Sequence, residues 1–441
     1  MKSLKSLIFG TALVAGLAGC GKEESNRRAL SYDGFGPAIL TSTPSGGESE
    51  GRPRLYDFDG DGDLDMVTPE LGDVKGNPAT GGLFYFQGDK NNPSYFGEAV
   101  KIAENSPNAR DYQHGYDSVE LGDINGDGIL DLIAGTEENF VAYLITQRGN
   151  DKSVPFSKPV KLHVNSTEAD FCTISPSKDL FVSGEPTYKG RDDIKIFRIP
   201  YKPSGERFFG EPYQIGTLPN SEDCSLVISP GDLNKDGIDD VITFGHGRKK
   251  HTEYEVALFL SQREEGQKNV GYKSFELGKM DFALNSPMAT KIGDLNNDGL
   301  EEIVIASQND VALLRSNPRN NPSMEFSWIQ KDNPDMKNVE GIDASYISRK
   351  DRKDLVLIDA GEKTENSVPE GEEFDGHETI WIMKALREQE FSKPEKIHVE
   401  GGLKRESPSI VAQDLNGDGK LDVILGRAES YPLPYRVHFG K

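Results

Sequence analysis

The chain has 441 residues and a formal net charge of −23, from 73 acidic against 50 basic side chains. That balance excludes nucleic acid as a partner, because no surplus of Lys and Arg exists to neutralise a phosphate backbone. The 47 glycines announce many turns, and the length suits either two or three ordinary domains or one long all-β unit.

Lys2 and Lys5 form a positive start, and Leu7 to Leu17 an apolar stretch too short to cross a bilayer. It ends Leu17-Ala18-Gly19-Cys20, which resembles the lipobox of bacterial lipoproteins. The resemblance implies a signal peptide over residues 1–19, lipidation of Cys20, and a polar tether over 20–32. Gly21 stands where an Asp would resemble inner-membrane retention, which favours the outer membrane of a bacterial cell envelope. Lys22-Glu23-Glu24 resembles the export signal of surface lipoproteins in some Bacteroidetes, and so implies exposure at the cell surface. The membrane is then a partner only through this anchor, since no other segment is apolar enough to span it. Cys172 and Cys224 allow one intramolecular disulfide, which an oxidising compartment permits. Their separation is not legible in the sequence.

Residues 33–441 read as repeats. A first strand, 36–42, precedes five acidic segments: Asp57 to Asp65, Asp123 to Asp131, Asp232 to Asp240, Asp294 to Glu302 and Asp414 to Asp422. Each follows a short apolar run and precedes a β-rich one such as Leu-Ile-Ala-Gly. The first Asp residues are spaced by 66, 109, 62 and 120 positions. Two of these intervals are double, and each doubled interval contains a degenerate unit: 172–184, which keeps Ile-Ser-Pro but loses the acidic loop, and 342–360, whose loop has become Ile-Ser-Arg-Lys-Asp-Arg-Lys. Seven units result, each parsing into four short strands bounded by Gly, Pro, Asn and Asp. Four antiparallel strands repeated radially predict an all-β, seven-bladed β-propeller with four-stranded blades. The near-continuous apolar runs of the first and second strands predict burial on both faces for that pair. The seventh unit lacks a fourth strand, and 36–42 is expected to supply it, closing the ring and removing an open edge.

Within each acidic segment the side-chain oxygens fall at positions 1, 3, 5 and 9, with Gly at 6. Alternate positions aim oxygens at one centre, and Gly permits the sharp turn. Hard oxygen donors in this number suit Ca²⁺ rather than a transition metal. An EF-hand would need Glu at position 12 and flanking helices, which these segments lack. The pattern resembles the FG-GAP or VCBS repeats of integrin α-subunits and many bacterial secreted proteins, over roughly residues 36–441. That resemblance implies five structural Ca²⁺ ions. Side-chain ligands would be Asp57, Asp59, Asp61 and Asp65; Asp123, Asn125, Asp127 and Asp131; Asp232, Asn234, Asp236 and Asp240; Asp294, Asn296, Asp298 and Glu302; Asp414, Asn416, Asp418 and Asp422. Carbonyl ligands would be Asp63, Ile129, Ile238, Leu300 and Lys420. The third and sixth units should be metal-free, with Lys178, Lys350 and Lys353 opposing a cation there.

Structural calcium leaves function to the opposite face, formed by loops between second and third strands and between blades. Three groups fall there: Arg110, Asp111, Tyr112, His114, Tyr116 and Asp117; His246, Arg248, Lys249, Lys250 and His251; and the Glu-rich insertion 361–378. Loops on a rigid scaffold are where binding usually resides. The favoured expectation is a monomeric binding protein for a glycan or another protein, with Tyr112, His114, Tyr116, Asp117, His246 and His251 as contacts. The second expectation is a polysaccharide lyase, with His114 or Tyr116 as base beside Arg110, or His246 beside Arg248. The third is a structural surface lipoprotein without a ligand.

Overall fold

The computed structural model describes residues 39–41, 53–70, 81–104, 116–136, 140–148, 154–164, 171–175, 177–184, 194–203, 208–218, 228–231, 238–246, 253–262, 271–281, 289–297, 302–307, 310–317, 323–331, 333–336, 339–359, 379–387, 390–398, 410–425 and 435–441. All regular structure among them is β. No helix among the described residues is long and apolar enough to cross a membrane. The expected signal peptide and tether, Cys20 included, lie outside the described residues.

The strands form seven four-stranded antiparallel sheets, the blades of a propeller. Strand β1 is Ile39–Thr41. Blade 1 holds β2 (Arg54–Tyr56), β3 (Asp65–Glu70), β4 (Gly82–Phe86) and β5 (Val100–Glu104). Blade 2 holds β6 (Tyr116–Gly122), β7 (Asp131–Thr136), β8 (Phe140–Leu144) and β9 (Val160–His163). Blade 3 holds β10 (Phe171–Ile174), β11 (Leu180–Gly184), β12 (Ile194–Ile199) and β13 (Tyr213–Leu218). Blade 4 holds β14 (Ile228–Gly231), β15 (Asp240–His246), β16 (Glu253–Gln262) and β17 (Gly271–Asp281). Blade 5 holds β18 (Ala289–Gly293), β19 (Glu302–Ser307), β20 (Asp310–Asn317) and β21 (Ser323–Gln330). Blade 6 holds β22 (Val339–Ser345), β23 (Asp354–Asp359), β24 (Thr379–Met383) and β27 (Glu395–His398). It also carries a small unanticipated hairpin, β25 (Ala385–Arg387) with β26 (Glu390–Phe391).

Blade 7 holds β28 (Ile410–Gln413), β29 (Asp422–Leu425) and β30 (Tyr435–His438), and β1 pairs with β30 as its fourth strand. Ile39 stands opposite Val437, Leu40 opposite Arg436 and Thr41 opposite Tyr435. The first and last described strands therefore meet in one sheet, as the unpaired seventh unit predicts.

The core is a set of layers between neighbouring blades. Side chains alternate along a strand, so each blade feeds two layers. In β7, Leu132 and Ala134 face the layer shared with blade 1, and Ile133 faces the layer shared with blade 3. In β8, Phe140, Ala142 and Leu144 face blade 1 while Val141 and Tyr143 face blade 3. Blade 6 repeats this, with Leu355 and Leu357 toward blade 5, and Val356 and Ile358 toward blade 7. This explains the continuous apolar runs: strands sandwiched on both sides leave no face for water.

The sandwiched pair is the second and third strands, which corrects the expectation of the first and second. Strands β3 and β4, β7 and β8, and β23 and β24 are buried wherever their side chains are described, whereas β2 is half-buried throughout and β28 alternates. The cause is position in the ring. First strands of neighbouring blades touch one another, β6 with β10, β10 with β14, β18 with β22 and β22 with β28. They crowd around the middle of the ring, where a neighbouring blade covers them only in part.

Candidate metal centres

Antiparallel order puts the acidic loops, which join first and second strands, on the same face as the loops joining third and fourth strands. The loops of blades 1, 2 and 7 share one backbone path. Position 6 has a left-handed φ at Gly62 (95°), Gly128 (82°) and Gly419 (82°). Position 4 does too, at Gly60 (83°), Gly126 (83°), Gly417 (76°) and, in blade 5, Asn297 (59°). Only Gly, or Asn at small cost, enters that region readily, so the loop needs two such residues rather than the one the sequence argument singled out.

The path coils the backbone around the odd-numbered side chains. The N–H of Gly60 donates to Asp57 (2.7 Å), that of Asp61 to Asp59 (2.9 Å) and that of Asp63 to Asp61 (2.9 Å). Blade 2 repeats the set: Gly126 to Asp123 (2.6 Å), Asp127 to Asn125 (2.9 Å) and Ile129 to Asp127 (2.8 Å). In blade 7, Asp418 donates to Asn416 (2.9 Å) and Lys420 to Asp418 (2.8 Å). One oxygen from each of Asp57, Asp59 and Asp61 lies within 4.8 Å of the others. In blade 7, the Oδ2 of Asp414 accepts from Gly419 (2.9 Å), while its Oδ1 is buried without a hydrogen-bond partner. A buried, unpartnered oxygen is costly, and an all-oxygen donor set with such an atom fits a hard divalent cation.

Position 9 has a second duty. In blades 1, 2 and 7 one oxygen of its carboxylate accepts from the backbone of position 2, and the other from the backbone just past the third strand. Phe58 and Gly88 donate to Asp65 (2.9 and 2.8 Å), Ile124 and Thr146 to Asp131 (2.8 and 2.7 Å), and Leu415 and Gly440 to Asp422 (2.9 and 2.8 Å). Leu295 donates to Glu302 (2.9 Å), and Ser261 to Asp240 (2.7 Å). Burial pushes the Asp65 carboxyl up to about 7, against the N–H of Gly88, and burial likewise lifts Asp131 and Asp422 to about 6.

The degenerate blades keep this acid. Asp179 accepts from Tyr201 N–H (2.7 Å), and Asp354 from Ala385 N–H (2.7 Å). In blade 3 the Asp179 carboxylate is gripped by the Nε and Nη2 of Arg198, a buried side chain on β12. In blade 6 the Ser348 hydroxyl donates to Asp354 (2.9 Å). An acid directly before two apolar residues recurs at Asp65, Asp131, Asp179, Asp240, Glu302, Asp354 and Asp422. That signal was available in the sequence; Arg198 had none, because a lone Arg in a strand reads as solvent-facing.

Among the described residues, the loops of blades 1, 2, 5 and 7 are also touched by a neighbouring blade. Position 2 is an apolar plug, with Phe58, Ile124, Leu295 and Leu415 all buried. Its carbonyl accepts from outside the blade: Arg148 to Phe58 (3.4 Å), Tyr201 to Ile124 (2.6 Å), Lys353 N–H to Leu295 (2.9 Å) and Tyr95 to Leu415 (2.6 Å). Of the lysines expected to oppose a cation in their own units, Lys178 instead reaches Asp123 of blade 2 (3.5 Å).

The structure describes only part of the remaining expectations. Asp232, Asn234, Asp236, Asp298 and Leu300 lie outside the described residues, as do Arg110, Asp111, Tyr112, His114, Arg248, Lys249, Lys250, His251 and 361–378. Asp117 lies on β6 and His246 ends β15 opposite Tyr254, their side chains not described. Tyr116, expected at the ligand face, is instead 2 % exposed in the layer between blades 1 and 2, among Val119, Leu132 and Phe140. Its ring is a core element, which removes it as a surface contact or a base. Cys172 is buried with its Sγ 4.0 Å from Ser118 Oγ, and Cys224 lies outside the described residues.

No family model matches the chain, and no curated protein matches it. Among solved structures, the Cps50 (Swd1) β-propeller domain of Myceliophteria thermophila aligns at 8 % identity over 91 % of this chain and 100 % of its own, with a TM-score of 0.46. A hypothetical selenium-binding protein from Sulfolobus tokodaii aligns at 12 % identity over 83 % of each chain, with a TM-score of 0.44. A protein from Lactobacillus plantarum aligns at 12 % identity over 80 % of this chain and 85 % of its own, with a TM-score of 0.42. At such scores the likeness says nothing of function, and the seven-bladed architecture stands on the chain's own strand pairing.

Proposed function

We propose that the chain is a calcium-stabilised propeller of the FG-GAP/VCBS kind, anchored to a bacterial outer membrane through Cys20, that binds a glycan or protein on the face opposite its acidic loops. The observation that carries the cation reading is the convergence of Asp57, Asp59 and Asp61 within 4.8 Å. Carboxylates that close repel one another unless a cation lies among them. The unpartnered Asp414 Oδ1 supports the same reading from a second loop. The ions would be held by positions 1, 3, 5 and 9 of the five loops, with the carbonyl of position 7, and would supply charge neutralisation that ties each loop to its blade.

Ions in that role leave recognition to other loops, and the candidates are residues 110–114, Asp117, 246–251 and 361–378. Binding is preferred to catalysis because no catalytic spacing distinguishes these loops. The test is an ion count by mass spectrometry with melting curves in calcium and in chelator. Calcium near five ions per chain and a clear fall in melting temperature on chelation are expected; identical melting with no bound ion would remove the reading. A glycan array then separates a carbohydrate ligand from a protein one.

A further inference from the structure

The loops of blades 2 and 7 carry the same side-chain donors: Asp123, Asn125, Asp127 and Asp131 in one, and Asp414, Asn416, Asp418 and Asp422 in the other. Their first carboxylates have different surroundings. Asp414 keeps Oδ1 buried and unpartnered. Asp123 has Oδ1 engaged by Gly126 N–H (2.6 Å) and Oδ2 by Gly128 N–H (3.1 Å), and the Lys178 ammonium stands 3.5 Å from that same Oδ2.

Lys178 belongs to blade 3, whose own loop is cut to a tight turn between Ile174 and Asp179. In that turn the Lys178 N–H donates to the Ser175 carbonyl (2.8 Å), and Lys178 takes a φ of 69°. This left-handed conformation is uncommon for a non-glycine residue. The ammonium also lies 5.6 Å from the centre of the Tyr201 ring, and the Tyr201 hydroxyl donates to the Ile124 carbonyl (2.6 Å). Blade 3 thus presses a cation and a hydrogen-bond donor onto the acidic loop of blade 2.

We infer that Lys178 is a built-in competitor for the ion at blade 2 and makes that loop a weaker calcium site than the loop of blade 7, whose only nearby ammonium among the described residues, Lys420, stands 3.9 Å from Asp418 rather than at the first carboxylate. The inference rests on the reading of these loops as calcium sites. An ion entering the blade 2 loop meets a carboxylate already neutralised in part, and must displace or lie beside a like charge. Lys178 and Asp123 side chains remain 29 % and 23 % exposed, so the ammonium has room to swing out. Binding is therefore weakened rather than abolished. A blade without its own loop sets the affinity of its neighbour.

Calorimetric titration of the chelator-stripped full chain with calcium chloride tests this. Lys178→Met is expected to tighten one class of site by about tenfold or more, and Lys178→Arg, which keeps the charge, to leave the isotherm unchanged. Asp123→Asn should delete a weak site and Asp414→Asn a tighter one. An unchanged isotherm for Lys178→Met, or loss of a tight site from Asp123→Asn, overturns the role of Lys178 while leaving the calcium loops standing. No calcium uptake by the wild type or any variant overturns both.

Discussion

At the scale of single residues, the acid that opens each second strand matters beyond any ion it holds. In blades 1, 2 and 7 it links the loop to the end of the third strand through two backbone N–H groups, and the acid is present in blades with and without a full loop. Where the loop has gone, something else must balance the buried charge. In blade 3 that is Arg198, whose side chain is 11 % exposed and whose partner Asp179 is 7 % exposed. Removing one member of a buried pair leaves the other uncompensated. Arg198→Met is expected to cost about 3–5 kcal/mol of stability by denaturant unfolding. The loss should be the same with calcium and with chelator, because blade 3 holds no complete set of donors. A loss seen only after chelation would mean that Arg198 acts through a neighbouring loop.

At the scale of elements, each of the four acidic loops whose second residue is described, those of blades 1, 2, 5 and 7, is a joint between blades. Its second residue plugs the layer below, and its carbonyl is taken by a group from another blade. Tyr95 makes the joint between blades 1 and 7: its hydroxyl donates to Leu415 O (2.6 Å) and accepts from Leu64 N–H (3.1 Å). The ring itself packs against Phe96 (4.9 Å between centroids). Tyr95→Phe keeps the ring and strands both backbone groups, at a cost of about 1–3 kcal/mol. Hydrogen exchange should show the loss concentrated in blades 1 and 7, and a loss spread evenly over all blades would contradict a local joint. The altered loop of blade 6 works the same way. Asp351 O accepts from Asn297, and Tyr346 donates to Asn297 Oδ1 (3.2 Å), so this loop braces blade 5 with side chains and backbone.

At the scale of the whole molecule, the layered core, described for six of the seven seams, makes a blade depend on its neighbours, so closure decides whether the ring is one cooperative unit. The layer between blades 7 and 1 joins Leu415, Ile424, Tyr435 and Val437 to Met66, Phe84 and Phe86. Strand β1 covers the edge of β30 at that seam. A chain beginning at residue 43 would expose that edge, and exposed edges pair with other chains. Size-exclusion chromatography is expected to show self-association, and melting to lose its single sharp transition. A monomer that melts like the full chain would show that the apolar layer alone closes the ring.

The sequence by itself determined the count of blades, their four strands, the strand that closes the last one, and which loops carry acids. All of these are local or periodic features: an alternation, a turn, a spacing near sixty residues. What only the tertiary structure decided concerns neighbours. Whether a strand is covered on both faces depends on where it lies in the ring, which moved the fully buried pair from first and second to second and third. Tyr116 resembles a surface aromatic in the sequence and is core because blade 1 packs over it. Arg198 balances a charge in its own blade, and Lys178 a charge in the next. These side chains lie 19 and 55 positions from their partners, and electrostatic pairing across such gaps leaves no periodic mark on the chain.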